Sequence, residues 1–224
     1  MLRTVRTYRY YRGHRRIAEP AVEPVSIAEL KAQLRIDGTS EDAELALYIT
    51  AAREQIEELT GRALITQSWR LTLDQWPGSR RVWWDGVQQG AIGDIEGAQA
   101  FNAVQLPRYR LQSVDEIRVF NEDGAGSTVS VSDFVIDTEQ EPGRLVLRSG
   151  AVWPVALQTA NAVEIDYTAG YGDTQAEVPA AIRLAILQMA ASAYQHRGDD
   201  CTMADAYRMS GAANIFASFK VARL

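Results

Sequence analysis

The amino-acid sequence predicts an α+β fold, a helical core that carries an inserted antiparallel β-domain. Three features point to it. A stripe of apolar residues at helical spacing covers residues 45–63. Straight after Gly61 the period drops to two, and alternation recurs in short segments as far as Tyr167. Helical period then returns in residues 179–196, PAAIRLAILQMAASAYQH. With 224 residues, 46% of them hydrophobic, the chain can bury a sizeable core.

The first helix is announced by PVSIAELKAQLRID, residues 24–37. Ser26 with Glu29 three residues on makes a capping box, and Ile27, Leu30 and Leu34 share one face. Asp37-Gly38 marks its predicted end. Thr39 or Ser40 is the expected cap of a second helix, with Glu41, Asp42 and Glu44 at its positive end. Leu45, Ile49, Ala52, Ile56, Leu59 and Ala63 form its apolar stripe. Residues 41–60 would span about 30 Å. Gly61 suits the left-handed position that follows a last turn.

Ile65, Gln67, Trp69, Leu71 and Leu73 alternate with polar residues and predict a strand, closed by Trp76-Pro77. Residues 85–103, with Gly86, Gly90, Gly93 and Gly97, read as an extended loop and lack any phosphate-cradling glycine pattern. EIRVFNEDGAGSTVSV predicts a hairpin turning at residues 121–126, and DFVIDTEQEPGRLVLRS a second pair around residues 139–143. In AVEIDYTAGYG, Val163, Ile165 and Tyr167 fall on one face of a strand. Glu164 and Asp166 fall on the other, which reads as solvated.

Pro179 is expected at the first helical position of the last long helix. Ile182, Ile186, Met189 and Ala193 make one stripe, and Leu184, Leu187, Ala191 and Tyr194 cover much of the remainder. Such a helix must be buried on most sides, more than one neighbouring helix can cover, so a subunit contact is expected. His196 lies at its C-terminal end, where an imidazolium suits the dipole. The tail SGAANIFASFKVARL ends in Ile215, Phe216, Phe219, Val221 and Leu224 after a Ser210-Gly211 hinge. It must dock on its own core or on a partner.

Charge is uneven. Arg3, Arg6, Arg9, Arg12, Arg15 and Arg16 give residues 1–16 a charge of +6 with no acid; with −6 on the whole chain, the remainder carries −12. A basic arm on an acidic body signals an acidic partner, protein or nucleic acid, although a solvated tail fits the composition too. Cys201 is the only cysteine, so no internal disulfide forms, and a lone thiol reads as a bystander. No segment is apolar and long enough to suggest a membrane span. With His14 and His196 the only histidines, neither a histidine metal cluster nor a Ser–His–Asp triad is expected. No catalytic, cofactor-binding or metal-binding residue is assigned.

The order of helix, long helix ending in TGR, strand, β-rich middle, YTAGYG and VPAAIRLAILQMAASAYQHR, with LPRYRLQSVDEIRV between, resembles the tailed-phage head–tail connector (adaptor) family. The resemblance extends to the adaptors of gene transfer agents and covers roughly residues 24–197, with FASFKVARL also similar. It implies a structural protein without cofactor in the neck of a phage or phage-like particle, assembled in the bacterial cytoplasm. It further implies a homo-oligomer, a dodecameric ring between the portal protein and a downstream tail or stopper protein, around double-stranded DNA. The expected organisation is a basic arm (1–23), a helical core in two parts (24–64 and 176–197), a β-rich insertion (65–175) and a docking tail (198–224). Arg3, Arg6, Arg9 and Arg12, with the five apolar tail residues, are the expected partner contacts. The alternatives are a hydrolase using carboxylates such as Asp166 and Asp173, or a monomeric nucleic-acid-binding module. The latter needs a broadly basic body, which the −12 remainder opposes.

Overall fold

Local chemistry opens the first helix as the sequence requires. In the computed structural model, which describes residues 12–76, 103–155, 158–198 and 202–217, the Glu29 N–H donates to Ser26 Oγ at 3.2 Å and the Ser26 N–H donates to the Glu29 carboxylate at 2.7 Å. Helix α1 (Ile27–Leu34) ends earlier than Asp37 because Arg35 turns left-handed, with φ 58°, and its N–H bonds back to the Lys31 carbonyl. Helix α2 (Asp42–Thr60) is capped by neither Thr39 nor Ser40. Glu41 takes the cap position without a side-chain bond, and Asp42, Glu44 and a Lys31–Asp42 ion pair serve that end. Its other end stops at Gly61, φ 70°, whose N–H bonds to the Glu57 carbonyl at 2.9 Å.

The chain divides into two units. The helical unit comprises Glu19–Gln67, Arg108–Arg110 and Ala169–Leu224. It holds α1, α2, α3 (Ala180–Gln195), α4 (Met203–Met209) and α5 (Ala212–Ala217). Pro179 is the cap of α3, one place before the expected first turn. Its core joins Leu30, Leu45, Ile49, Ala52, Ile56, Ile182, Ala185, Ile186 and Met189, closed by Ala206 and Ala212 from the two short helices. The expected apolar stripe of α2 holds through Ile56 and then rotates. Leu59 is 39% exposed, while Arg53, Glu57 and Thr60 are buried. The physical reason is a polar network on that side, described below.

The β-unit comprises Met1–Ala18, Ser68–Pro107 and Leu111–Thr168. Strands β1 (Arg12–Ala18), β2 (Gln67–Leu73), β4 (Leu111–Phe120), β5 (Gly126–Val129) and β8 (Val163–Ala169) form one sheet in the order β1-β2-β8-β4-β5. Strands β3 (Ala103–Gln105), β6 (Phe134–Asp137) and β7 (Arg144–Leu147) form a second, in the order β3-β7-β6. The β4–β5 and β6–β7 pairs are antiparallel, with turns in the predicted places. In β2 burial alternates without a break, as its sequence pattern demands.

Part of the basic segment is sheet. Residues 12–18 pair antiparallel with β2, Arg12 opposite Leu73 and Arg16 opposite Trp69, with a bulge before Ala18. His14 stacks on Trp69 at 4.7 Å between ring centroids and shares a 2.8 Å hydrogen bond with the Tyr167 hydroxyl. Ring stacking and ladder hydrogen bonds order a segment that composition alone reads as an arm.

Candidate functional site

The motifs that carry the sequence resemblance meet at one junction in the helical unit. Gly61 leaves α2 left-handed, and its carbonyl accepts from the Tyr109 N–H at 3.0 Å. Arg62 and Tyr109 form an isolated parallel bridge. Arg110, itself left-handed with φ 69°, accepts through its carbonyl from the Gly170 N–H at 2.9 Å. The Tyr171 N–H donates to Leu64 at 3.2 Å and the Thr66 N–H to Gly172 at 3.0 Å. TGR, LPRYR and YTAGYG are thus laced together by main-chain bonds. Gly170 is obligatory here: it has φ 152°, and a Cβ on it would lie 2.6 Å from the Thr66 nitrogen.

Side chains lock the same point. Glu57, at 2% exposure, accepts from Arg53 Nη1 (2.9 Å), the Leu64 N–H (2.9 Å) and Gln67 Nε2 (2.5 Å). Arg53 is equally buried and also donates to Glu23 at 2.8 Å. Burial pushes the Glu57 carboxyl up, against the pull of Arg53 and the two amide donors. Arg108 reaches the Glu57 carbonyl at 2.7 Å, where a cation satisfies the negative end of α2. The guanidinium of Arg62 lies 5.8 Å from the Tyr109 ring and that of Arg110 4.7 Å from the Tyr171 ring. These groups hold a chain crossing in place and present no nucleophile beside a base. Sequence reasoning missed Glu57 and Arg53. Their i,i+4 spacing is the one signal that could have flagged them, and it is equally common on solvated faces.

The carboxylates proposed for a hydrolase fare differently from expectation. Asp166 is on no open solvated face. Arg70 grips it with bonds of 2.6 and 2.7 Å, and Arg118 and Glu164 extend the network across the sheet. Asp173 lies in an exposed loop of the helical unit. Among the described residues no group of three or more His, Cys, Asp or Glu is placed to hold a metal. No helix of the described residues is long and apolar enough to cross a membrane. One shallow cleft of about 380 Å³ beside α3 is lined by amides and hydroxyls such as Gln33, Gln188, Gln195 and Ser192.

Of the expected partner contacts, Ile215 packs partly buried against its own helical core, on α5. Ser210-Gly211 is a tight link between α4 and α5, where a hinge was expected. Arg12 opens β1, and Phe216 lies in α5. Arg3, Arg6, Arg9, Phe219, Val221 and Leu224 lie outside the described residues, as do Cys201 and the glycine-rich segment before Ala103. On α3 Leu184 is 47% exposed and on α2 Leu47 is 67% exposed, so the helices present apolar surface their own unit leaves uncovered.

The chain is built of a helical unit and a β-unit, and the junction ties three segments of the helical unit together. Residues 24–93 match the profile of the phage gp6-like head-tail connector protein family. That bears out the resemblance read from the sequence. The fold is shared with chains of three solved assemblies. The neck of an empty GTA particle computed with C6 symmetry is matched with TM-score 0.67 and 22% identity, over 88% of this chain and 94% of that one. The virion of a native gene transfer agent (GTA) particle gives 0.63 and 23%, over 88% and 93%. The neck of a native GTA particle computed with C12 symmetry gives 0.59 and 22%, over 87% and 94%. No curated protein sequence matches the chain.

Proposed function

We propose that this chain is a structural head–tail connector, a ring-forming subunit in the neck of a phage or phage-like particle. Its ring docks on the portal, extends the channel for double-stranded DNA and offers a platform to the tail or stopper protein. The observation that carries the reading is the shared fold with particle-neck chains over almost their full length, joined to the connector-family match of residues 24–93. The uncovered Leu47 and Leu184 fit subunits that complete their burial in an assembly. The −12 carried by the chain beyond residue 16 suits a wall that DNA slides past without sticking. The ring is dodecameric in this reading, and the chain acts without cofactor and without catalysis.

Arg3, Arg6 and Arg9, ahead of the first strand, and the apolar tail are the proposed portal-facing contacts. The test is deletion of the gene in its host, with complementation by the full chain or by a chain ending at residue 217. Loss of tail-bearing particles on deletion, with recovery by the full chain, is the expected outcome. Ending the chain at 217 spares every described helix, so failure of that variant to attach tails assigns the contact to the removed residues. Normal tailed particles in the deletion strain would refute the connector reading.

A further inference from the structure

A ring built head-to-tail needs two different, complementary patches on each copy. The β-unit carries a pair that fits. β1 is the terminal strand of the five-stranded sheet and β6 the terminal strand of the three-stranded one. Among the described residues no strand pairs with β1 on the side away from β2, or with β6 on the side away from β7. A terminal strand is where a further strand can add to a sheet.

The charges match across them. Residues 12–18 contain Arg12, Arg15 and Arg16 and no acid, whereas residues 131–141 contain Asp133, Asp137, Glu139 and Glu141 and no base. Asp137 is already held by Arg144 at 2.8 Å, so Asp133 and Glu139, both exposed, are the carboxylates offered. Each edge also exposes one β-branched residue to the same degree, Ile17 at 43% and Val135 at 43%. The bulge between Arg16 and Ala18 limits the regular stretch of β1 to about the length of the four-residue β6. The other two edges fit less well. β5 itself carries no charged residue, and β3 is three uncharged residues long.

We propose that β1 of one copy adds to the β6 edge of the next copy, with the exposed Arg15 facing Asp133 and Glu139. The proposal rests on the ring reading above and names the surface that closes the ring. Main-chain bonds supply attraction and the charges supply direction, because two β1 edges repel and two β6 edges repel.

The experiment uses the full chain in assembled particles. Arg15→Glu and Asp133→Arg, both at exposed positions, should fold as the parent by circular dichroism. Each alone should cut incorporation into particles about tenfold, and the two together on one chain should restore most of it, because the reversed charges attract again. Independently, Ile17→Cys with Val135→Cys in a Cys201→Ser chain should give a ladder of cross-linked copies with a short bis-maleimide, while either cysteine alone should not. Single reversals that incorporate like the parent, or an incorporated double-cysteine chain that yields no ladder, would overturn the pairing while leaving the ring reading intact. A parent chain that never enters particles overturns both.

Discussion

Glu57→Ala removes one acceptor group on which three donors converge. In the parent, the Glu57 carboxylate serves Arg53 Nη1, the Leu64 N–H and Gln67 Nε2. Without it Arg53, 2% exposed, keeps Glu23 as its hydrogen-bonding carboxylate, and Glu23 is 29% exposed. Breaking a buried pair by removing one partner costs about 3–5 kcal/mol, since the surviving charge stays desolvated. With a urea slope of about 2 kcal/mol/M, the unfolding midpoint should fall by about 1.5–2.5 M. Far-UV circular dichroism during urea titration reads the helical unit directly. The companion Arg53→Met/Glu57→Leu should recover most of the loss, because it removes both charges together. A midpoint shift below about 0.5 M for Glu57→Ala would refute the claim that this carboxylate locks the junction.

Other outcomes follow from the same structure. Gly170→Ala places a Cβ against the Thr66 backbone at an unfavourable φ and should cost at least about 2 kcal/mol in the same titration. Ile186→Ala, fully buried, should cost about 2–5 kcal/mol, and the half-buried Leu187→Ala about 1–2 kcal/mol in the isolated chain. Acid should destabilise the fold through groups whose carboxyls are held low: Glu29 by the Ser26 N–H, Asp137 by Arg144 and Asp205 by the Thr202 hydroxyl. Their folded values lie below their unfolded ones, so the unfolded chain binds more protons in that interval. Their contribution is therefore present above the ordinary carboxylate range and is lost as pH falls through the folded values. Urea midpoints at pH 6 and pH 3 should differ in that direction, and Glu29→Gln should reduce the difference. Glu57, held high by burial, works in the opposite sense.

The elements of this protein were legible where the determinants are local. The Ser26–Glu29 box, the Gly61 stop, the alternation through β2, and the two hairpins each depend on residues within a few positions of one another. Their order sufficed to suggest the connector resemblance. Tertiary structure decided what depends on partners far away in the chain. Residues 12–18 have no strand signature of their own and become β1 because β2 offers a ladder and Trp69 a ring for His14. Leu59 turns outward and Glu57 inward because the junction supplies Leu64 and Gln67 as donors, which outweighs the helix's own apolar periodicity. Asp166 leaves the solvated face of a strand for the grip of Arg70, almost a hundred residues earlier. Periodicity records which face of an element is apolar. A polar side chain's burial is set by whether distant donors converge on it, and only the folded chain brings those donors together.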